Sequence, residues 1–316
     1  SQEIALSNHS SAKGVDYILG GDTHERVRKP LKGKMCPVVE PGAFGSFIGK
    51  LDLSVSGKKV FRRRYQLLEV TEKETKPDEK VSTLIANAES SYMKKLNKII
   101  GTSTSPLYRY FVIENPIDTL VTDALKWKFP KVDIAISNGF RFCPPRVTPG
   151  ENGLIPIPLS YLYDMLPVDS AIKTGEVTGK QLRTWLEKEL NNVFATEASK
   201  RVGGWLVKFK GMKIKFYVNR ELGSRLQSVT IGGKMLQDDK TYTILACERE
   251  GDPDNKLCRL EDVKAARQTG VSLHDAVIDY LAVNSPVNPV PRGDAVALDV
   301  PPTLLKQVNG VPYEFR

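Results

Sequence analysis

The sequence predicts an α+β protein: a short β-rich segment, a connecting helix, and a larger domain of alternating helices and strands. Three observations carry this prediction. Residues 15–70 contain short apolar runs and alternating apolar residues, with glycines at turn positions. Residues 71–80 are polar and include a proline, which is typical of a linker. Beyond residue 105, helical and strand-like apolar patterns alternate.

The first part of the chain is predicted to be mostly strands. VDYIL (15–19) is the pattern of a short buried strand, and residues 36–55 alternate between apolar and other residues around glycine turns. KKVFRRRYQLLEV (58–70) predicts a further strand pair. After the linker, residues 81–100 place their apolar side chains on one helical face, which predicts a helix that connects two domains.

The larger domain is predicted from signals at its helix ends and in its strands. A helix is expected over residues 117–129, followed by the short buried strand VDIAIS (132–137). Thr178 and Gln181 fit a capping box, so another helix begins there, and a last helix begins at Ser272. Further strands are predicted at 205–219, 225–236 and 241–247.

Length and composition bound the class of protein. The chain has 316 residues, enough for two domains or one large one, and is 41% hydrophobic. No stretch approaches 18 consecutive apolar residues, so no membrane span is predicted. The net charge is +9, but the basic residues are scattered and not interleaved with aromatic ones. A basic surface that steers small anionic substrates is therefore favoured over a nucleic-acid partner.

GGDTH (20–24) is the first candidate site, because it follows a predicted strand. The glycines let the backbone turn sharply. Asp22 and His24 are two residues apart, and a carboxylate and an imidazole at that spacing can reach one cation. The alternative is that Asp22 caps a turn and that His24 is an ordinary surface histidine.

Two further candidates also follow predicted strands. SNGFR (137–141) places Arg141 after a glycine turn, and a guanidinium matches phosphate or sulfonate oxygens. The loop after residue 247 carries Glu250, Asp252 and Asp254, which can receive hydroxyls or a cation. The alternatives are an exposed arginine on a turn and a solvated acidic loop.

These motifs together resemble the 5′-nucleotidase family. GVDYILGGDTH followed by PVVEPGAFGSFIGKLDL resembles the end of its metallophosphoesterase domain. The later segments DTLVTDAL, SNGFR and YLYDMLPVDSAIKTGEVTGKQLRTWLE, with the loop after 247, are similar to its C-terminal domain. Within the family, SNGFR, LEKELNNVF, RVGGW and ELGSRLQ resemble the SoxB-like thiosulfohydrolase branch of sulfur oxidation.

The resemblance implies a domain division and a set of site residues. Residues 1–70 would be the C-terminal part of a metallophosphoesterase β-sandwich, 71–100 a linker and connecting helix, and 101–316 an α/β substrate-binding domain. Two divalent ions (Mn, Zn or Mg) would serve hydrolysis. The metal ligands would be Asp22 and His24, and the substrate-binding residues would be Asn138, Arg141 and Asp252.

The sequence departs from the family pattern in two ways. Only the last of the family's metal-binding motifs is present, and Asp22 stands where the family has histidine. We therefore expect the C-terminal portion of a longer exported protein, periplasmic or secreted, whose metal centre is incomplete in this chain. The alternatives are a SoxB-like enzyme acting on a carrier-protein cysteine adduct and a non-catalytic ligand-binding module.

The resemblance also bears on the substrate. The family's nucleotidases hold a base between two aromatic rings, and the matching positions here are Val168 and Ala246. Neither side chain can stack, so we expect poor purine binding, with Phe140 and Trp205 as other candidate aromatics.

The four cysteines show no zinc-finger spacing. Sequence leaves open whether Cys247 and Cys258 pair in an oxidising compartment.

Overall fold

The structure, a computed structural model, describes residues 2–302 apart from 23, 74, 110, 139–142 and 250. The chain forms two units. Unit 1 is Ser1–Ser91 with Glu197–Arg201, and unit 2 is Tyr92–Thr196 with Val202–Arg316.

Unit 1 is built from short pairings and one long hairpin. Its helices are α1 (Gln2–Asn8) and α2 (Glu79–Glu89), and its strands are β1 (Ile18–Leu19), β2 (Val38–Val39), β3 (Phe47–Ser56) and β4 (Lys59–Glu69). Strand β1 pairs in parallel with β2, and β3 pairs in antiparallel with β4. The hairpin turns at Gly57, whose φ of 58° is a left-handed conformation that favours glycine.

Three expectations for the first 100 residues are wrong in detail. VDYIL is not a buried strand: the two-residue β1 pairs with a strand of equal length, and Leu19 is 71% exposed. Residues 58–70 contain one strand, β4, and not a strand pair. The partner of β4 is β3, which pairs with it along nearly its whole length. The predicted helix over 81–100 ends at Glu89; a short helix, Met93–Leu96, follows, and a strand begins at Ile99.

Unit 2 contains the larger share of the secondary structure. Its helices are α3 (Met93–Leu96), α4 (Pro116–Lys128), α5 (Leu159–Met165), α6 (Gly179–Phe194) and α7 (Leu273–Asn284). Its strands are β5 (Ile99–Ser103), β6 (Ile134–Ser137), β7 (Ile155–Pro158), β8 (Ala171–Thr178), β9 (Lys208–Lys210), β10 (Met212–Phe216), β11 (Leu226–Ile231), β12 (Lys234–Met235), β13 (Thr241–Cys247), β14 (Lys264–Ser272) and β15 (Ala295–Ala297).

The central sheet of unit 2 has the order β14-β8-β13-β6-β9, and a second sheet has the order β12-β11-β10-β15. Side chains on the middle strands alternate between two apolar clusters. Ile134 and Ile244 lie in the cluster that contains Leu186 of α6, whereas Ala135 and Leu245 lie in the cluster of α4 and α7. The central sheet is therefore apolar on both faces, and the expected α+β class, with an α/β arrangement in the larger unit, is confirmed.

The local signals in this unit are also confirmed. The Thr178 hydroxyl accepts from the backbone of Gln181, and the Gln181 side chain accepts from the backbone of Thr178, which completes the capping box of α6. Ser272 caps α7. Gly232 and Gly233 both have positive φ in the turn between β11 and β12.

Candidate functional site

Two strand ends bring Asn138 and the loop that carries Asp252 to one edge of the central sheet. Strands β6 and β13 are neighbours and run parallel, with Ile134 opposite Ile244. Asn138 follows the end of β6, and the loop that carries Asp252 follows the end of β13. The carboxyl ends of parallel strands are where α/β folds place ligands, so the topology puts both loops at a suitable edge.

Asn138 is held at both its side chain and its backbone. Its Oδ1 accepts a hydrogen bond from Nη1 of Arg259 at 2.6 Å. Its carbonyl oxygen accepts from Nε1 of Trp205 at 3.0 Å. The residue is half-buried. Sequence analysis named Asn138 and Trp205 separately, and the structure shows that they are in contact.

Arg259 is the residue that sequence analysis missed. Its Nε donates to Oε1 of Glu189 at 2.7 Å, and its Nη2 donates to the other carboxylate oxygen. Glu189 is on α6 and is 2% exposed. This is the forked arrangement that joins a guanidinium to a carboxylate. No sequence signal marks this pair, because the two residues are 70 positions apart and each is an ordinary charged residue.

The turn that presents Arg259 has an unusual backbone. Cys258 and Arg259 have φ values of 49° and 65°, in the left-handed region that few non-glycine residues adopt. The carbonyl of Cys258 accepts from Nε1 of Trp185 at 3.1 Å. Such conformations persist where surrounding contacts determine them, and here those contacts are Trp185 and Glu189.

The charge of Asp252 acts on the same guanidinium. Burial by itself lowers the pKa of Arg259, but the hydrogen bond from Glu189 and the charges of Glu189 and Asp252 raise it above its usual value. The Asp252 carboxylate also lies 3.8 Å from the ammonium of Lys256, and its side chain is 18% exposed. Asn138 therefore contacts Arg259 directly, and the charge of Asp252 acts on the same guanidinium.

A lysine from β8 bridges two acidic residues that lie on either side of Asp252 in the sequence. Nζ of Lys173 contacts Glu248 at 2.7 Å and Asp254 at 3.0 Å. These hydrogen bonds raise the pKa of Lys173. The side chain of Asp254 is otherwise almost fully exposed, so its contact with Lys173 ties the loop to β8. Phe140, Arg141 and Glu250, which sequence analysis named, lie outside the described residues.

Asp22 and His24 lie in unit 1. Asp22 is exposed with φ 65°, and His24 is half-buried with φ 59°. The His24 ring packs edge-on against Phe44, with 5.2 Å between ring centroids. In the part of the chain that the structure describes, no group of three or more His, Cys, Asp or Glu side chains is placed to hold a metal. Two donors do not complete a catalytic metal centre, so we assign no chemical step to one.

The positions compared with the aromatic pair of the nucleotidases differ in exposure. Val168 is 57% exposed, whereas Ala246 is fully buried within β13. Ala246 therefore belongs to the core of the sheet.

All four cysteines are free thiols. Burial raises the pKa of Cys247 and of Cys258 to about 12 each, so neither is a reactive thiolate at neutral pH.

A buried polar cluster lies beside α4, and we define it as Arg109, Glu114, Asn115, Asp118 and Lys208. Its members are each at most 7% exposed. Arg109 pairs with Asp118 at 2.9 Å, and Nζ of Lys208 donates to the carbonyls of two apolar residues. Glu114, Asn115, Asp118 and Lys208 also help to line a cavity of about 20 Å³, which is large enough for a water molecule.

Burial lowers the pKa of Lys208 to about 8, while the charges of Asp118 and Glu114 act in the opposite direction.

Among the described residues, no helix is both long enough and apolar enough to cross a membrane.

Comparison with known proteins agrees with this architecture. Two curated relatives are the endonuclease YhcR of Bacillus subtilis, 21% identical over 76% of this chain, and protein 5NUC of Lutzomyia longipalpis, 24% identical over 94%. The chain spans 18% of the former and 56% of the latter.

Two solved structures share the fold. The Thermus thermophilus sulfate thiohydrolase SoxB superimposes on 96% of this chain with a TM-score of 0.81 at 20% identity. A 5′-nucleotidase precursor, also from Thermus thermophilus, covers 95% with a TM-score of 0.76 at 18% identity. The chain spans 54% and 62% of these two proteins.

The family match lies in unit 2 except for residues 197–201, which belong to unit 1. Residues 99–247 match the family described as the 5′-nucleotidase C-terminal domain, and they run from the start of β5 to the end of β13. The match includes Asn138 and Glu189, and Asp252 and Arg259 follow shortly after it. Residues 99–247 therefore correspond to a 5′-nucleotidase C-terminal domain.

Proposed function

We propose that this chain is the substrate-binding portion of a metal-dependent hydrolase that acts on phosphoesters or related anionic esters. The observation that supports the proposal most directly is that two strand-end loops both act on Arg259, one by a hydrogen bond and one through its charge. Asn138 follows β6 and accepts a hydrogen bond from this guanidinium. Asp252 follows β13, and its charge helps to raise the pKa of Arg259. In this proposal Asn138 and Arg141 bind the anionic group, and Asp252 accepts hydrogen bonds from substrate hydroxyls.

The net charge of the chain as a whole favours anionic ligands. The chain carries a net charge of +9, which raises the local concentration of small anions. The amide of Asn138 adds hydrogen-bond donors without adding charge. Relatives and fold neighbours include phosphoesterases and 5′-nucleotidases by name, which supports a hydrolase.

The metal centre belongs to the proposed complete protein. Asp22 and His24 would be two of its ligands, and residues outside this chain would supply the others. Divalent ions in such hydrolases activate a water molecule and stabilise the leaving oxygen. The 5′-nucleotidase of Thermus thermophilus that shares the fold is called a precursor, which supports an exported protein, periplasmic or secreted.

A second candidate is a thiohydrolase that acts on a sulfonated cysteine of a carrier protein. Two observations favour it: the fold match to SoxB with a TM-score of 0.81, and the lack of an aromatic side chain at Val168 and Ala246. A sulfonate and a phosphate present similar oxygens to Asn138, so the two candidates share the anion site and differ in the rest of the substrate.

Calorimetry with the chain itself tests the anion site. Inorganic phosphate and thiosulfate are titrated separately into the wild type, into Asn138→Ala and into Asp239→Asn, an exposed control. We expect at least one anion to bind the wild type and the control equally, and about tenfold more weakly to Asn138→Ala, since a hydrogen bond to a charged group is lost. The proposal fails if neither anion binds the wild type, or if Asn138→Ala binds as well as the wild type.

A further inference from the structure

We propose that Arg259 is a positioning residue for the anion site, because it fixes the side-chain amide of Asn138 so that the Nδ2 donors face the substrate. This inference rests on the proposed function, in which Asn138 contacts the anionic group. It concerns a residue that lies after the segment matched by the family and that no sequence motif marked.

The orientation of the amide follows from the chemistry of the contact. A guanidinium carries only donors, so the atom of Asn138 that lies 2.6 Å from Nη1 of Arg259 is the amide oxygen. The Nδ2 group is then at the other end of the amide. An amide that rotates freely would present its oxygen to the anion in part of the population, and that oxygen repels an anion.

The backbone of Asn138 is fixed as well. Nε1 of Trp205 donates to its carbonyl oxygen at 3.0 Å. The side chain and the main chain are therefore held from two directions, by residues on different segments of unit 2. A donor held in place in advance loses less conformational freedom when the ligand binds.

Arg259 is itself immobilised, and its charge is largely compensated. Both oxygens of Glu189 accept from it, and Glu189 is 2% exposed on α6. A guanidinium that is paired in this way attracts a further anion only weakly. Geometry, rather than net charge, is therefore what Arg259 contributes to the site.

The same arginine links the two loops of the site. Its guanidinium contacts Asn138 after β6 and lies in the field of Asp252 after β13. Through Glu189 it also joins these loops to α6. A substitution at residue 259 should therefore disturb the orientation of the Asn138 amide, whose Nδ2 group donates to the anion in the proposed site.

A double-mutant cycle separates positioning from direct binding. Phosphate affinity is measured by calorimetry for the wild type, Asn138→Ala, Arg259→Lys and the double variant. Lysine keeps a cation beside Glu189 but loses the planar fork. We expect each single variant to bind phosphate about tenfold more weakly, and the double variant to be no weaker than Asn138→Ala. Losses that multiply in the double variant would overturn the proposal, because Arg259 would then act independently of Asn138.

The matched control is Arg183→Lys, since Nε and Nη2 of Arg183 also donate to a carboxylate, both to Oδ1 of Asp238, but on an exposed part of α6. It should bind phosphate like the wild type. If Arg259→Lys does not fold, Glu189→Asp takes its place, because it keeps the negative charge of the partner and shortens its side chain, which disturbs the fork to Arg259. It should reduce phosphate affinity in the wild-type background and leave Asn138→Ala unchanged.

A second measurement does not depend on phosphate. The side-chain ¹⁵N–¹H signals of Asn138 are assigned by their loss in Asn138→Ala, and they should shift in Arg259→Lys but not in Arg183→Lys. Unshifted signals in Arg259→Lys would overturn the positioning role. If wild type binds neither phosphate nor thiosulfate, the anion site of the proposed function is rejected, while the NMR result still decides whether Arg259 orients Asn138.

Discussion

Arg109 and Asp118 form an ion pair that is almost completely removed from water. Nη2 of Arg109 lies 2.9 Å from Oδ1 of Asp118, and the two side chains are 1% and 3% exposed. Nδ2 of Asn115 donates to the other carboxylate oxygen at 2.7 Å. Hydrogen bonds thus satisfy both oxygens, which is the condition under which a buried pair is tolerated.

We predict that Asp118→Ala lowers the free energy of unfolding by about 3–5 kcal/mol, since it leaves the Arg109 charge buried without its partner. The control is Asp238→Ala, whose partner Arg183 has the same 2.9 Å separation but whose side chains are both more than 40% exposed. That change should cost less than about 1 kcal/mol. Denaturant unfolding measures both, and equal losses would show that burial does not set the strength of these pairs.

Because Lys208 is buried, we predict that the free energy of unfolding depends on pH. Its pKa is about 8 in the folded chain against an ordinary 10.5, so the unfolded chain holds the proton more tightly. Its contribution to the free energy of unfolding therefore rises between pH 8 and pH 10.5, by about 3 kcal/mol in total. Below pH 8 the cost of the buried charge is constant.

The measurement compares wild type with Lys208→Met across that pH range, since other groups that titrate there cancel in the difference. The wild type should gain stability relative to Lys208→Met as the pH rises. Lys264→Met, at an exposed position of β14, should follow the wild type. A constant difference between wild type and Lys208→Met would contradict the prediction.

Adenosine and AMP should bind weakly, with dissociation constants above the micromolar range. Stacking on an aromatic ring contributes about 1–3 kcal/mol per base, and neither Val168 nor the buried Ala246 offers a ring. Calorimetry with adenosine tests this prediction. Val168→Phe should tighten adenosine binding by up to about tenfold, whereas Val283→Phe, at an exposed position of α7, should not. Micromolar affinity in the wild type would favour a plain nucleotidase.

The chain alone should not hydrolyse phosphoesters. Asp22 and His24 supply two metal donors, and catalytic sites use about three per ion with one position open. The assay uses p-nitrophenyl phosphate and nucleoside monophosphates with Mn, Mg or Zn. Turnover well above a buffer blank would mean that a working metal centre forms within these 316 residues.

In the proposed complete protein, Asp22→Asn should lower the bound metal, while Asp22→His should retain it. Asp22 has a φ of 65°, and asparagine and histidine both tolerate this conformation, so the comparison isolates the ligand chemistry. Metal content is measured by elemental analysis. An unchanged metal content in Asp22→Asn would assign Asp22 to the turn.

The sequence by itself determined the elements whose signals are local. The capping box of Thr178 and Gln181, the cap at Ser272 and the strand over 241–247 follow from patterns within a few residues. The sequence also identified Asn138 and Asp252 as residues that follow strands. Hydrogen bonds between neighbouring positions and the periodicity of apolar side chains carry this information.

Tertiary structure alone decided what these residues contact. Arg259 meets Glu189 across 70 positions and Asn138 across 121, and no local pattern encodes such a meeting. It also decided burial: Ala246 is in the core because both faces of β13 are covered, whereas Leu19 is exposed because β1 pairs only with the two-residue β2 in the described part of unit 1. Burial and long-range contacts depend on which elements pack together, and packing is a property of the whole chain.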